Sequence, residues 1–165
     1  MSDLSGDTTA SAGAAQPAID GWFTLGGPDP GDGPRLIGSK CAGCGTYAFP
    51  PRSGACPNPS CVSDTLEPVE LSATGTLWSF AENHYAPPAP YVAAEPFEPY
   101  ALAAVELERE GMVVLGQAAK GVRVADLRVG MPMKLAIDVL FTGDDGVDRL
   151  IWVWEPVEEE GTDVG

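Results

Sequence analysis

Two short segments of this chain, Lys40-Cys41-Ala42-Gly43-Cys44-Gly45 and Cys56-Pro57-Asn58-Pro59-Ser60-Cys61, contain all four of its cysteines. A Cys-x2-Cys pair places two thiolates on one tight turn, and two facing turns of this kind make a tetrahedral site with four sulfur ligands. Gly43 and Gly45 give the first turn a backbone that can wrap around sulfur at little steric cost. The predicted metal ligands are therefore Cys41, Cys44, Cys56 and Cys61.

Zinc is the metal that the spacing favours. A Cys-x2-Cys pair, a hairpin, a Cys-x4-Cys pair and a strand at residues 66–71 follow one another, which is typical of a zinc ribbon. An iron site of the rubredoxin type also takes four thiolates and is the chemical alternative, with disulfides as a third. Four cysteine ligands leave no position for water or substrate, so we expect a structural Zn²⁺ that contributes folding energy and does no chemistry.

Length and charge limit the classes of protein that this chain can belong to. Its 165 residues suffice for one ordinary domain, or for a very small one attached to a medium one. The net charge is −15, but the segments 1–34 and 155–165 carry ten acidic residues and no basic one, which leaves 14 acidic and nine basic residues between them. This balance argues against nucleic acid as a partner, because nucleic-acid binding depends on neutralising phosphates with Lys and Arg.

The sequence predicts no membrane association and no export. It contains no apolar run of 18 residues, and its first 18 residues lack the basic and apolar regions of a secretory signal. We therefore expect a cytoplasmic, thiol-reducing location, where clustered cysteines are more often metal ligands than disulfides.

The pattern along the chain predicts a mostly β protein, with an N-terminal rubredoxin-like zinc ribbon followed by a five-stranded OB-fold barrel. Five antiparallel strands, the first opening on the bend-making Gly75, suggest the barrel. The expected strands are residues 75–85, 100–107, 112–117, 131–141 and 149–154. The expected divisions are a disordered acidic tail (1–18), an N-terminal segment with the ribbon (19–72), the barrel (73–157) and an acidic C-terminal tail (158–165).

A loop between the first two barrel strands, residues 86–99, carries five prolines. Proline pre-orders a loop and lowers the entropy that it loses on binding. The loop and the tyrosine before it are thus a candidate partner-binding surface, and the alternative is a stiff loop that packs on its own barrel. The candidate partner-binding residues are Tyr85, Pro87, Pro88, Tyr91 and Phe97.

No set of residues in the sequence can run a reaction alone. His84 is the only histidine, no Gly-x-Ser-x-Gly is present, and all four cysteines are assigned to metal. The acidic segment 144–148 lacks the ligand spacing of an EF-hand and is predicted to be a turn. No catalytic residue is therefore predicted.

Three segments together resemble a known family: Leu36 to Arg52, with its Cys-x2-Cys-Gly-x3-Phe-Pro-Pro-Arg pattern, Gly75 to Phe80, and Val129 to Met133. They are similar to rubredoxin-like zinc-ribbon/OB-fold proteins associated with acyl-CoA metabolism, long known as a domain of unknown function. The resemblance covers Gly21 to Val157. Many members of the family have a shorter second cysteine pair than Cys56-x4-Cys61.

The resemblance implies an accessory subunit that is not catalytic alone but essential to a thiolase-fold aldolase or thiolase complex. Its implied partner is a thiolase-like or sterol-carrier-protein-type thiolase subunit, in a hetero-oligomer that we expect to be a heterotetramer. Such complexes make or break carbon–carbon bonds next to a CoA thioester. Steroid side-chain (lipid) degradation and aromatic catabolism are the implied settings, with the acyl-CoA bound through the complex.

Two other functions remain open from the residues. Zinc ribbons and OB barrels often bind single-stranded nucleic acid, although the charge balance opposes this function here. The chain could instead bind acyl-CoA directly, with Arg52, Lys120 and Arg123 as candidate contacts to the CoA phosphates.

Overall fold

A computed structural model describes residues 14–27, 29, 31–88 and 95–158 of the protein. Within these residues the secondary structure is almost entirely strand, with one turn of 3-10 helix at Val124–Asp126. The strands are β1 (Gln16–Pro17), β2 (Ile37–Cys41), β3 (Tyr47–Ala48), β4 (Leu66–Glu70), β5 (Thr74–Asn83), β6 (Tyr100–Leu107), β7 (Met112–Ala118), β8 (Pro132–Thr142) and β9 (Asp148–Pro156).

The ribbon is a small antiparallel sheet in the order β3-β2-β4. Strand β2 lies in the middle and pairs Ser39 with Ala48 on one side and with Pro68 on the other. The chain then turns sharply after Cys41, where the Gly45 amide donates a hydrogen bond to the Cys41 carbonyl at 2.9 Å. Gly45 has a φ of +76°, a conformation that favours glycine, so the sequence allows this turn locally.

Strands β5 to β9 form the predicted five-stranded barrel. The sheet order is β1-β9-β7-β6-β5-β8, and the pairing of β8 with β9 closes it. The expectation that all five barrel strands pair antiparallel was wrong, because β7 and β9 pair in parallel, with Gln117 opposite Val153. The reason is topological: β8 crosses over to pair with β5, and β9 returns from β8 in the direction of β7.

The N-terminal part of the chain adds a strand that the sequence did not predict. Gln16–Pro17 pairs in parallel with β9, and the Ala18 amide donates to the Leu150 carbonyl at 2.7 Å. These residues fall inside the segment 1–18 that was expected to be a disordered tail, so ordered structure begins earlier than that boundary. Residues 1–13 of this tail and residues 159–165 of the C-terminal tail lie outside the described residues.

An aromatic cluster joins the ribbon to the barrel. The Trp152 ring lies at centroid distances of 5.8 Å from Phe23 and 5.6 Å from Phe49, and Trp22 packs edge-on against Phe49 at 5.8 Å. Aromatic pairs of this geometry contribute about 0.5–1.5 kcal/mol each beyond the area that they bury. The Phe-Pro-Pro-Arg segment thus forms part of the contact that fixes the ribbon on the barrel.

A buried carboxylate, Glu110, ties the β6–β7 hairpin to the connection between ribbon and barrel. Its Oε1 accepts hydrogen bonds from the Ser72 amide at 2.8 Å and from the Ser72 hydroxyl at 3.1 Å. Arg109 donates to the same oxygen and, through Nη2, to the Glu70 carbonyl at 3.1 Å. Burial alone raises the pKa of Glu110, but the hydrogen bonds from Arg109 and Ser72 outweigh burial and hold this pKa below its ordinary value of 4.5.

Glu110→Gln is expected to lower the free energy of unfolding by about 1–3 kcal/mol at pH 7, because the charged hydrogen bonds are lost. The pKa of Glu110 is lower in the folded than in the unfolded chain. Its ionised form therefore stabilises the fold above about pH 4.5, and this contribution disappears as the pH falls through the lowered pKa. Urea unfolding should accordingly show a difference between variant and unaltered chain that shrinks with acidification. The exposed neighbour Glu108 supplies the control, Glu108→Gln, and an equal effect of both variants would contradict the role of Glu110.

Candidate functional site

The four cysteines converge on one point of the ribbon, as the sequence predicted. Their sulfur atoms all lie within 4.8 Å of one another, with Cys41 Sγ 3.9 Å from Cys61 Sγ and Cys44 Sγ 3.6 Å from Cys56 Sγ. Four sulfurs around zinc at about 2.3 Å each are separated by roughly 3.8 Å, so the observed spacing fits a tetrahedral ion. The donor set and the spacing together make this a metal-binding site.

Backbone hydrogen bonds hold the two cysteine turns face to face. The Ala42 amide donates to the Thr65 carbonyl at 3.0 Å, which fixes the first turn against the chain that follows the second. The Cys56 amide donates to the Ser63 carbonyl, and the Cys61 amide to the Asn58 carbonyl, both at 3.0 Å. The extra residues of Cys56-x4-Cys61 are thereby folded into a compact turn, and the longer spacing leaves the convergence of the sulfurs intact.

The environment of the sulfurs separates their proton affinities. The Thr46 hydroxyl, 3.1 Å from Cys44 Sγ, lowers the pKa of Cys44 to about 6. The Asn58 amide also lowers the pKa of Cys56, but desolvation and the neighbouring sulfurs outweigh it and raise this pKa to about 12. Thiolates, not thiols, bind metal, so metal binding at this site is coupled to the release of protons.

Four of the five candidate partner-binding residues are described by the structure, and they lie at the two ends of the loop between β5 and β6. Tyr85 is 70% exposed, and the Asn83 side chain donates to the Tyr85 carbonyl at 2.8 Å, which holds the start of the loop. Pro88 is exposed and Pro87 half-buried, while Phe97 packs edge-on against Tyr100 at a centroid distance of 6.3 Å. Tyr91, the remaining candidate, lies outside the described residues.

The three bases proposed as contacts to CoA phosphates do not converge. Lys120 and Arg123 line the same cavity, of about 480 Å³, at the mouth of the barrel beside Phe97 and Tyr100. Arg52 lines a different cavity, between the ribbon and Met112 of β7. Moreover, Lys120 Nζ lies 3.5 Å from the Asp138 carboxylate and Arg123 lies 3.3 Å from Asp126, so both bases already have an acidic neighbour.

His84 and the acidic segment 144–148, neither of which was predicted to have a catalytic or calcium-binding role, lie at the surface and pair with neighbouring charged side chains. His84, the residue after β5, is exposed, and its Nε2 lies 2.8 Å from the carboxylate of Glu82, which is exposed near the end of β5. Residues 143–147 form the turn between β8 and β9, where Asp145 pairs with Arg149 at 2.7 Å. In the described part of the chain, no helix is long and apolar enough to cross a membrane.

Sequence reasoning missed an apolar surface on the barrel. Trp78 and Leu115 are each 60% exposed and Val113 is 41% exposed. The sequence pattern that indicates this surface is the run Met112-Val113-Val114-Leu115. Both faces of the strand are apolar there, although only one face can point into the barrel.

Comparisons with known proteins match both halves of this fold. The family described as "ChsH2, rubredoxin-like zinc ribbon domain" matches residues 29–67, and "ChsH2, C-terminal OB-fold domain" matches residues 68–138. A chain of the solved structure "Ltp2-ChsH2(DUF35) aldolase" is 31% identical, with a TM-score of 0.53 over 74% of this chain and 84% of that chain.

Three curated relatives carry the similarity further. A DUF35 domain-containing scaffold protein of Methanocaldococcus jannaschii is 34% identical over 74% of this chain and 82% of that protein. The benzoylsuccinyl-CoA thiolase subunit BbsA of Thauera aromatica is 43% identical over 34% of this chain, and a probable enoyl-CoA hydratase alpha subunit of Thermomonospora curvata is 35% identical over 61%. This chain covers only 37% and 28% of the length of these last two proteins. From the paired domain matches and the scaffold relative, the chain belongs to the ChsH2 (DUF35) family of zinc-ribbon/OB-fold proteins.

Proposed function

We propose that this chain is a non-catalytic accessory subunit of a thiolase-like acyl-CoA lyase or aldolase. The observation that carries the proposal is the similarity of 74% of this chain to a chain of an aldolase complex, at 31% identity. A relative that is a thiolase subunit supports the same class of partner. The reaction of the complex is carbon–carbon bond cleavage or formation next to a CoA thioester.

The finer parts of the proposal concern assembly and setting. The partner is a thiolase-like or sterol-carrier-protein-type thiolase subunit, and the assembly is a hetero-oligomer, expected to be a heterotetramer, in the cytoplasm. The substrates are acyl-CoA intermediates of steroid side-chain or aromatic breakdown. The acidic net charge of −15 supports a protein partner over nucleic acid.

The four-cysteine site is assigned to a structural Zn²⁺. Cys41, Cys44, Cys56 and Cys61 hold the ion, which supplies folding free energy when bound and no chemistry. All four positions around the ion are taken by sulfur, so the chemistry of the complex is assigned to the partner.

Affinity purification of the tagged chain from its own cells is expected to recover a thiolase-fold protein in equimolar amount. This partner, produced alone, should be insoluble or inactive, and addition of the chain should restore its thiolytic or aldol-cleaving activity. The chain alone should be inactive with the same acyl-CoA. A thiolase-fold protein that is soluble and fully active without this chain would overturn the proposal.

A second proposal assigns the barrel mouth a share of the acyl-CoA. Lys120 and Arg123 are the two bases at that cavity, and Phe97 and Tyr100 supply apolar surface beside them. Arg52 is left out of this set because it lines the other cavity. Calorimetric titration of acetyl-CoA into the isolated chain and into the complex distinguishes direct binding from binding only in the complex.

A further inference from the structure

We propose that the outer face of β5, β6 and β7 is the surface on which the thiolase-fold subunit docks. We call it the docking face, and its members are Trp78, Leu102, Ala104, Val113 and Leu115. The inference rests on the proposed function and adds to it the surface that carries the contact.

The alternation of the strands places these side chains outside the barrel. On β6 the inward residues Ala103 and Val105 are fully buried, whereas Ala104 between them is not. Ala104 of β6 lies between two outward neighbours: it pairs with Leu115 of β7 on one side and with Ser79 of β5 on the other. A bulge between Leu77 and Ser79 leaves Trp78 as the extra residue of β5. The result is one continuous outer face.

This face has the composition of an interface core. Among the outward residues of β6 and β7, Leu102, Ala104, Val113 and Leu115 are apolar. Glu106 is the one carboxylate, and the polar side chains of Tyr100 and Gln117 lie at one edge of the face. The exposed fractions of Trp78, Val113 and Leu115 correspond to roughly 300 Å² of apolar surface, which is the size of the largest patches on monomers and is often functional. Loss of charge and gain of aromatic residues are the features that mark the centre of a protein interface.

The docking face extends to the described residues at the two ends of the proline-rich loop. Tyr100 is the outward residue at the start of β6 and packs on Phe97. The exposed Tyr85 follows β5 by two residues, and the last residue of β5, Asn83, pairs with Tyr100. In OB folds, the face of the second and third strands and the loop between the first and second strands are where ligands bind. Here this face lacks the basic residues that a polyanion requires, and so it fits a protein.

Charge favours a different protein over a second copy of this chain. Each copy has a net charge of −15, and residues 35–154 alone carry 14 acidic and nine basic residues, so two copies brought face to face would repel each other. A stable interface needs about 800 Å² from each partner, and the docking face supplies the apolar centre while Tyr85, Phe97 and Tyr100 beside it supply further area. The occupant is therefore assigned as the thiolase-fold subunit.

The test is a pair of substitutions in the full chain, Trp78→Ser with Leu115→Ser, measured for binding to the purified thiolase-fold partner. Large apolar anchors at an interface centre dominate affinity, so the doubly substituted chain should bind at least about 100-fold more weakly. Its circular dichroism and metal content should match those of the unaltered chain, because both side chains are exposed. Leu25→Ser, at a leucine that is 45% exposed on the N-terminal segment, is the matched control and should leave binding unchanged.

Each outcome has one meaning. A folded, doubly substituted chain that binds the partner as tightly as the unaltered chain overturns the docking face and leaves the accessory-subunit proposal standing. Failure of the unaltered chain to bind any thiolase-fold protein overturns the proposed function itself. Sedimentation that shows the unaltered chain to be a dimer, and the doubly substituted chain a monomer, assigns the face to a second copy and overturns the inference.

Discussion

Cys61→Ser is expected to abolish metal binding and to unfold the ribbon. Cys61 supplies one of four sulfur ligands, and the remaining three leave the site open and weak. A structural zinc ion contributes about 10–16 kcal/mol in small modules, as much as the whole stability of an ordinary domain. The ribbon cannot replace this contribution, because its three strands span five residues at most.

The measurements are metal content and thermal unfolding of the purified chain. The unaltered chain should carry one zinc ion, and Cys61→Ser should carry none. Because Phe49 of the ribbon lies 5.6 Å from Trp152, unfolding of the ribbon should also shift the tryptophan fluorescence to longer wavelength.

The neighbouring residue provides a control with the same substituent. Val62 is fully exposed in the same segment, so Val62→Ser should retain both the ion and the melting temperature. A Cys61→Ser chain that keeps its metal and melts like the unaltered chain would refute the four-sulfur site. If the unaltered chain carried iron, the assignment of the metal as zinc would be refuted and the four-sulfur site would stand.

The local part of this structure could be predicted from the sequence. Strand β6 was expected at residues 100–107 and is found there, because a short apolar run and the turn at residues 108–111 mark its limits without reference to distant residues. The cysteine site was found in the same way, since the spacing within each pair depends on one turn. Resemblance to a family with this order of domains then placed the two units in sequence.

The parts that depend on distant contacts could not be predicted. The parallel pairing of β7 with β9 follows from the crossover of β8, and the pairing of Gln16–Pro17 with β9 has no local signal. Convergence of Lys120 with Arg123, but not with Arg52, is likewise a property of the folded chain. Nothing in the sequence marks Glu110 as buried, and only the folded chain places its carboxylate against Ser72.

Gly75→Ala is expected to destabilise the barrel by about 3 kcal/mol, at the upper end of overpacking effects. A β-carbon at residue 75 would lie 2.3 Å from the Glu106 carbonyl oxygen and 2.7 Å from Val105 Cγ1. The obstacle is mainly backbone, and β6 cannot move aside because β5 and β7 pair with it on both sides. Gly75 also pairs with Met133 of β8, so the clash falls where β5 passes from one neighbour to the other.

Thermal unfolding measures this effect, and a loss of about 10 °C in melting temperature is expected for a chain of this size. Gly33→Ala is the control, because a β-carbon at residue 33 would meet nothing within 4 Å. Metal content gives the second readout: it should stay at one ion per chain in Gly75→Ala, since the cysteine turns are remote in sequence from this contact. An unchanged melting temperature would mean that β5 can separate from β6 at this point. Glycine at residue 75 would then allow the bend without being required for it. The expected loss would instead show that barrel closure requires a residue without a side chain at this position.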